Sequence, residues 1–311
     1  GDDLRPAVIR TLVKLTEISR TDVWARCHRD TWVPMLVALL QDDELPTRVA
    51  AMTGLGLLGD RQGTQPIIDM LRWLEQPSEE VMDQAVRALV GTGETECLIE
   101  AVALEQEAVS TMAIRALGQL RALEAIPALI GVRRTSQDWI RRRVALRSLA
   151  TMQSQEALAG LIEAINDETG YVRQVAIRLL GDCGHRPALA NALTRLKSER
   201  YQEVRDEIVN TVVRLGINEG VHEVLELMSH PRSETREAAA TILGLVKPLE
   251  GLDVLIAAGN DVEWRVRRAA MEALGSYDDE RAVHSLLLAM SDDHEKVRVA
   301  ATDGLARWNT A

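Results

Sequence analysis

The 311-residue sequence contains no Phe, and only 3% of its residues are aromatic. A core built on large rings is therefore excluded. The hydrophobic share is nonetheless 46%, so Ala, Leu and Val must fill the interior, which suits closely spaced helices. Cysteine is also scarce. Cys27, Cys97 and Cys183 are odd in number and far apart, which argues against a disulfide framework and for a reducing, cytoplasmic setting. No apolar run approaches the ~20 residues of a membrane span, and no signal-peptide pattern is present. Basic residues are in deficit, 36 Lys and Arg against 47 Asp and Glu, for a net charge of −11. That balance argues against a general nucleic-acid or membrane-surface binder, which needs many phosphate-neutralising cations.

Motifs that carry chemistry are missing too. The six His residues (His28, His185, His222, His230, His284 and His294) form no HExxH, and there is no paired CxxC. Cys27 and His28 are neighbours, but adjacent side chains on a helix diverge. There is no GxSxG, no Walker-type loop and no GxGxxG opening a helix. The three Cys lack a context that would activate a thiol. The many Asp and Glu residues sit where helix starts and exposed faces are expected. No catalytic residue, metal or cofactor is expected, and the chain reads as a binding protein and not an enzyme.

What is present is a repeat, the first thing to test for. VRQVAIRLLG begins at Val172, TREAAATILG at Thr235 and VRRAAMEALG at Val266. Taking the Arg as position zero, ten segments fit one frame: Arg5, Arg48, Met82, Ser110, Arg142, Arg173, Arg205, Arg236, Arg267 and Arg298. Position three holds Val8, Ala51, Ala85, Ala113, Ala145, Ala176, Ile208, Ala239, Ala270 and Ala301. Position seven holds Leu in every copy except Val212. The spacings are 43, 34, 28, 32, 31, 32, 31, 31 and 31 residues, too regular for chance. Positions zero, three and seven share one helix face. The small residue lets neighbouring helices approach, and the Leu fills the layer between them. Gly56, Gly118, Gly181, Gly244 and Gly275 follow at position eight on the same face. Gly59, Gly93, Gly184 and Gly216 at position eleven suit helix C-termini. Between these signature helices lies a second apolar stripe, often opened by a Pro (Pro66, Pro127, Pro187), as at a first helical turn. Acidic and small polar residues such as Asp42, Asp43, Ser233, Asp292 and Asp293 lead into the next signature helix.

This pattern resembles the HEAT-like repeats first described in phycobilisome lyases, and it covers nearly the whole chain. The resemblance implies an all-α fold, a right-handed alpha-alpha superhelix of about nine to ten helical hairpins, with the signature helices lining its concave side. Residues 1–311 are expected to form a single solenoid. Residues 16–44 are irregular: the interval from Arg5 to Arg48 is about a dozen residues longer than the rest, and the stretch from Arg20 to Asp30, with Trp24, Cys27 and His28, is expected to be a longer loop or an extended helix. The frame opens on a signature helix with no partner before it, and the sequence does not begin with Met. Solenoid ends normally carry a polar cap, so the native chain is expected to continue upstream, or another chain to cover this end. Deoxyhypusine hydroxylase, a HEAT-like enzyme, is similar in repeat length. Its iron-binding His-Glu pairs lie inside signature helices, whereas His222-Glu223 and His294-Glu295 do not, and the set of four is incomplete.

Two arginine columns are candidates for different work. Position zero (Arg48, Arg142, Arg173, Arg205, Arg236, Arg267 and Arg298) is expected to be structural, pairing with acidic residues of a neighbouring turn. Position five should face solvent. Its residues are Thr53, Arg87, Arg115, Arg147, Arg178, Asn210, Thr241, Glu272 and Asp303, so four consecutive repeats carry Arg. Arg143 thickens that stripe and Arg141 extends it. Residues 110–178 hold ten Lys and Arg against six Asp and Glu, and helices roughly 10 Å apart would make the stripe a ridge some ~30 Å long. An acidic segment of a partner protein is the expected ligand, at Arg87, Arg115, Trp139, Arg143, Arg147 and Arg178. Trp139 and Trp264 both lie three residues before a position-zero Arg; packing under the turn is the first expectation for them, with Trp139 as the better candidate for a partner anchor. The leading function is a protein–protein interaction scaffold. The resemblance also implies, as an alternative, a phycobilin lyase or chaperone, and as another a nucleic-acid-binding HEAT-like protein, which the overall acidity and the lack of Lys in the ridge disfavour.

Overall fold

A computed structural model of the protein describes residues 29–217 and 220–308. Among them there are α-helices and two short 3-10 turns, and no strand. No helix among the described residues is long and apolar enough to cross a membrane. Arg5, Trp24, Cys27 and His28 lie outside the described residues. The irregular segment does contain a regular helix, α1 (Arg29–Leu39), which packs on α2 (Leu45–Leu58) as an ordinary repeat hairpin.

The contacts gather into two compact units, residues 1–160 and 161–311. In the first unit the signature helices are α2, α4 (Glu79–Thr92), α6 (Glu107–Leu120) and α8 (Trp139–Met152). They alternate with the outer helices α1, α3 (Thr64–Arg72), α5 (Glu96–Val102), α7 (Ile126–Thr135) and α9 (Gln155–Ala164), the last of which spans the division point. In the second unit the signature helices are α10 (Gly170–Asp182), α12 (Gln202–Leu215), α14 (Ser233–Val246), α16 (Trp264–Leu274) and α18 (Glu295–Trp308). Their outer partners are α11 (Ala188–Leu196), α13 (Val221–Leu227), α15 (Gly251–Ala258) and α17 (Glu280–Ala289). Within each unit every signature helix touches the next signature helix in line.

The sequence frame maps directly onto burial. Ala51, Ala85, Ala145, Ala176, Ala239, Ala270 and Ala301, at position three, have no exposed surface. At position seven Leu55, Leu117, Leu149, Leu180, Val212, Leu243 and Leu274 are likewise fully covered. Two signature-helix starts illustrate side-chain capping: Asp138 accepts from the backbone N–H groups of Ile140 and Arg141, and Ser78 from that of Val81. Gly59, Gly93, Gly184 and Gly216 all adopt positive φ at signature-helix ends.

Small residues set how near adjacent signature helices lie. A Cβ on Gly56 of α2 would sit 2.5 Å from the Ala88 Cα of α4. One on Gly244 of α14 would sit 2.6 Å from the Ala273 Cβ of α16. Gly131, in the outer helix α7, has open space where a Cβ would go. Gly244→Ala is therefore expected to destabilise by ~1–3 kcal/mol, because backbone must move to admit it. Gly131→Ala should be neutral or stabilising by up to about 1 kcal/mol. Urea unfolding followed by circular dichroism reads both, and equal midpoints for the two variants would contradict the packing described.

Candidate partner-binding site

The two arginine columns occupy different environments. At position zero, six guanidinium groups reach back to the turn before their own helix. In Arg142, Arg173, Arg205, Arg236, Arg267 and Arg298, Nη1 donates to the carbonyls six and five residues earlier, for example Arg173 to Asp167 and Glu168 at 2.7 and 3.0 Å. Arg173, Arg236 and Arg267 also clamp a carboxylate of the following turn through Nε and Nη2. Arg173 holds Glu199, Arg236 holds Asp261 and Arg267 holds Asp292, all at 2.7–2.9 Å. A fork matched to two carboxylate oxygens is the strong form of this bond. Arg48 differs, with its Nε buried and without a hydrogen-bond partner.

Glu199 is the most enclosed carboxylate of this set, with no exposed surface. Burial alone would raise its pKa. Hydrogen bonds from Arg173, the Tyr201 backbone N–H and Arg195, with the charge of Arg173, override that and bring it down to about 2. At the corresponding turn after Arg205 stands His230, whose pKa is lowered by burial and by the cations Arg232, Lys197 and Arg236.

Where position zero is Ser110, Arg141 of the next signature helix joins it. Arg141 donates to Ser110 Oγ at 2.7 Å and to the Val102 carbonyl at 3.3 Å. Ser110 Oγ in turn donates to the same carbonyl at 2.7 Å. Arg141 thus belongs to the turn and does not extend the exposed stripe, a correction to the sequence reading. Ser110 reaches only the Val102 carbonyl, and Arg141, from the next signature helix, adds a second donor there.

At position five, Arg87 and Arg147 are exposed, and neither has an ion pair or side-chain hydrogen bond among the described residues. Arg115 on α6, between them, pairs at 2.5 Å with Asp83 of α4, both side chains still about a third to a half exposed. Arg143 lies 5.2 Å from the ring of half-buried Trp139, with its Nε buried and unbonded. These five residues share the first unit, on three consecutive signature helices. Arg178 belongs to the second unit, where it pairs at 2.6 Å with the nearly buried Glu207. The stripe read from the sequence is therefore uneven: two free guanidinium groups, one in a surface pair, one under an aromatic ring and one committed to a carboxylate. Trp264 stacks on His294 with ring centres 3.9 Å apart, so it packs on the turn of the next repeat.

Burial and a hydrogen bond with Glu94 push the Cys97 thiol up to about 11, and burial beside Asp182 raises Cys183. Among the described residues no cluster of three or more His, Cys, Asp or Glu could hold a metal ion.

The HEAT-repeat family model matches residues 70–150, 133–212 and 221–306, well over half of the chain. The chain belongs to the HEAT-repeat family. No curated protein sequence matches it significantly. Among solved structures it is similar to the CpcE–CpcF complex of phycocyanin lyase from a Nostoc species, at 20% identity over 68% of this chain and 86% of that one, with a TM-score of 0.38. It is similar to human deoxyhypusine hydroxylase at 18% identity, covering 90% and 96%, TM-score 0.35. It is also similar to a microtubule-polymerase TOG-domain array at 14% identity, covering 100% and 89%, TM-score 0.44. These are helical-repeat proteins of unrelated activities, and no function follows from the likeness.

The linkage at Glu199 has a definite sign. A carboxyl whose folded pKa is lowered from 4.5 to about 2 contributes stability that is present above pH 4.5 and lost as pH falls through about 2. Glu199→Gln leaves Arg173 buried and uncompensated, so it is expected to cost ~3–5 kcal/mol at neutral pH. The gap between native and variant should narrow steadily below pH 4.5. Chemical unfolding across that range measures it, and a gap independent of pH would show that Glu199 does not act through its charge.

Proposed function

We propose that this HEAT-repeat chain is a non-catalytic cytoplasmic scaffold, and that the signature face of its first unit binds an acidic segment of a partner protein. The observation that carries the reading is the contrast within one chain. Six position-zero arginines, Arg142 to Arg298, are spent on their own turns, while Arg87 and Arg147 stand exposed on α4 and α8 without an internal partner among the described residues. Exposed arginine can be mere solvated helix surface. Two features favour recognition. The helix between them adds Arg115, so three consecutive helices present a guanidinium in one register. The carboxylate paired with Arg115, Asp83, is itself half exposed, and such a surface pair is worth ~0–1 kcal/mol, so Arg115 can exchange Asp83 for a partner's carboxylate at small cost.

Trp139 and Arg143 extend the same face. Arg143 over the Trp139 ring offers a planar cation backed by an aromatic surface, a combination enriched where proteins bind tightly. Such a surface would act chiefly on encounter rate and partner choice.

A fluorescent polyglutamate peptide is a sufficient probe. The Arg87→Glu/Arg147→Glu variant is expected to weaken its binding by at least ~10-fold, with an unchanged circular-dichroism melt, and native binding should fall as salt rises. Arg72→Glu, on outer helix α3, should leave binding untouched. Native affinity in the double variant, or an equal loss with Arg72→Glu, would refute the assignment of this face.

A further inference from the structure

The close approach of α2 and α4 leaves a cleft on the signature face of the first unit. It measures about 390 Å³ and is lined by Thr53, Gly56, Leu57, Gln84, Arg87, Ala88 and Gly91. Its floor is Gly56, Ala88 and Gly91, which are small because the two backbones meet there. Leu57 forms one apolar wall, and Arg87, the exposed arginine of the binding face, stands at the edge.

The second unit repeats part of this construction, with a third helix and charges of both signs added. A cleft of about 590 Å³ between α14, α16 and α18 is lined by Thr241, Gly244, Leu245, Ala269, Glu272, Ala273 and Ser276, among others. Residues 53–57 read Thr-Gly-Leu-Gly-Leu and residues 241–245 read Thr-Ile-Leu-Gly-Leu. Thr53, Gly56 and Leu57 therefore correspond to Thr241, Gly244 and Leu245, each at positions five, eight and nine. On the facing helix Gln84, Arg87, Ala88 and Gly91 correspond to Ala269, Glu272, Ala273 and Ser276, at positions two, five, six and nine. The floors share Gly and Ala but differ at Gly91 against Ser276, and the position-five residue is Arg87 in one and Glu272 in the other. Glu272 is moreover paired with Arg268 at 2.6 Å, whereas Arg87 has no such partner.

We propose that the Gly56–Gly91 cleft receives an aliphatic side chain of the acidic partner segment, from a residue next in sequence to the carboxylate that meets Arg87. The proposal rests on the acidic-partner reading and sharpens it: the partner is acidic-aliphatic in pattern, not merely acidic. The apolar floor and Leu57 wall select the aliphatic group, and the neighbouring guanidinium selects the sign of the adjacent charge. A cleft of this volume falls in the range of small-ligand pockets, ample for one Leu or Ile side chain. The second unit's cleft has Ser276 for Gly91 and lining charges of both signs, Arg268, Lys296 and Arg307 beside Glu272, Glu295 and Asp303, so it is not expected to select this ligand.

The test compares an alternating Glu–Leu peptide with an alternating Glu–Ser peptide of equal length, by fluorescence anisotropy on the full chain. The native protein is expected to bind the leucine peptide about tenfold more tightly, the factor that burying one aliphatic side chain brings. Thr53→Trp, at an outward position, occludes the cleft, and Leu57→Ser removes its wall. Each should bring the two affinities together, with the glutamate–serine affinity unchanged. Arg87→Glu should weaken both peptides. Equal affinity for the two peptides on the native protein would overturn the cleft proposal while leaving an acidic binding face. So would a preference for Leu that survives both Thr53→Trp and Leu57→Ser. If neither peptide binds the native chain at low salt, the acidic-partner reading fails and the cleft proposal falls with it.

Discussion

How near two signature helices can come governs the rest of this molecule. A residue larger than Gly at 56 would drive its Cβ into the Ala88 backbone, and one at 244 would collide with Ala273. Because these positions stay small, Ala at position three and Leu at position seven of adjacent helices close into a layer with no exposed surface. Van der Waals attraction falls off steeply with separation, so the energy of the layer depends on this spacing. The same spacing decides what the outward face looks like. Position five is lifted onto a ridge, and the gap between ridges has a floor of Gly and Ala.

Arginine serves this architecture in two ways that differ only in position. At zero it ties the turn before its own helix to the turn of the next repeat, with Nη1 on two carbonyls and, in Arg173, Arg236 and Arg267, Nε and Nη2 on one carboxylate. Lysine could not do this, having one point of charge in place of a planar fork. At five the same side chain points to solvent, and its use depends on what stands opposite. Glu207 satisfies Arg178, Asp83 half satisfies Arg115, and nothing among the described residues satisfies Arg87 or Arg147. Recognition in the first unit is proposed where the internal pairing stops.

Much of this was legible in the sequence because a repeat averages out local noise. Positions zero, three, seven and eight recur often enough to identify packed face, close contacts and helix class without coordinates. The acidic partners of position zero carried a signal as well: Asp261 and Asp292 each follow their Arg by 25 residues, and Glu199 follows Arg173 by 26. Departures from the repeat were harder to read. Arg141 resembled part of an exposed stripe, yet it turns inward to Ser110 one signature helix away. The pairing of Arg178 with Glu207 depends on side chains 29 residues apart whose meeting no helix-face argument specifies. The clefts were invisible for a related reason. Each is built jointly by two helices, so it shows only when the registers of both are superposed.

The central claim is that the signature helices of the first unit, and not its outer helices, form the recognition surface. Hydrogen–deuterium exchange with and without the glutamate–leucine peptide addresses it directly, because exchange reports local opening segment by segment. Slower exchange confined to α4, α6 and α8, with α3, α5 and α7 unchanged, is the result this account predicts. Protection on the outer helices instead, or none anywhere at saturating peptide, would contradict it.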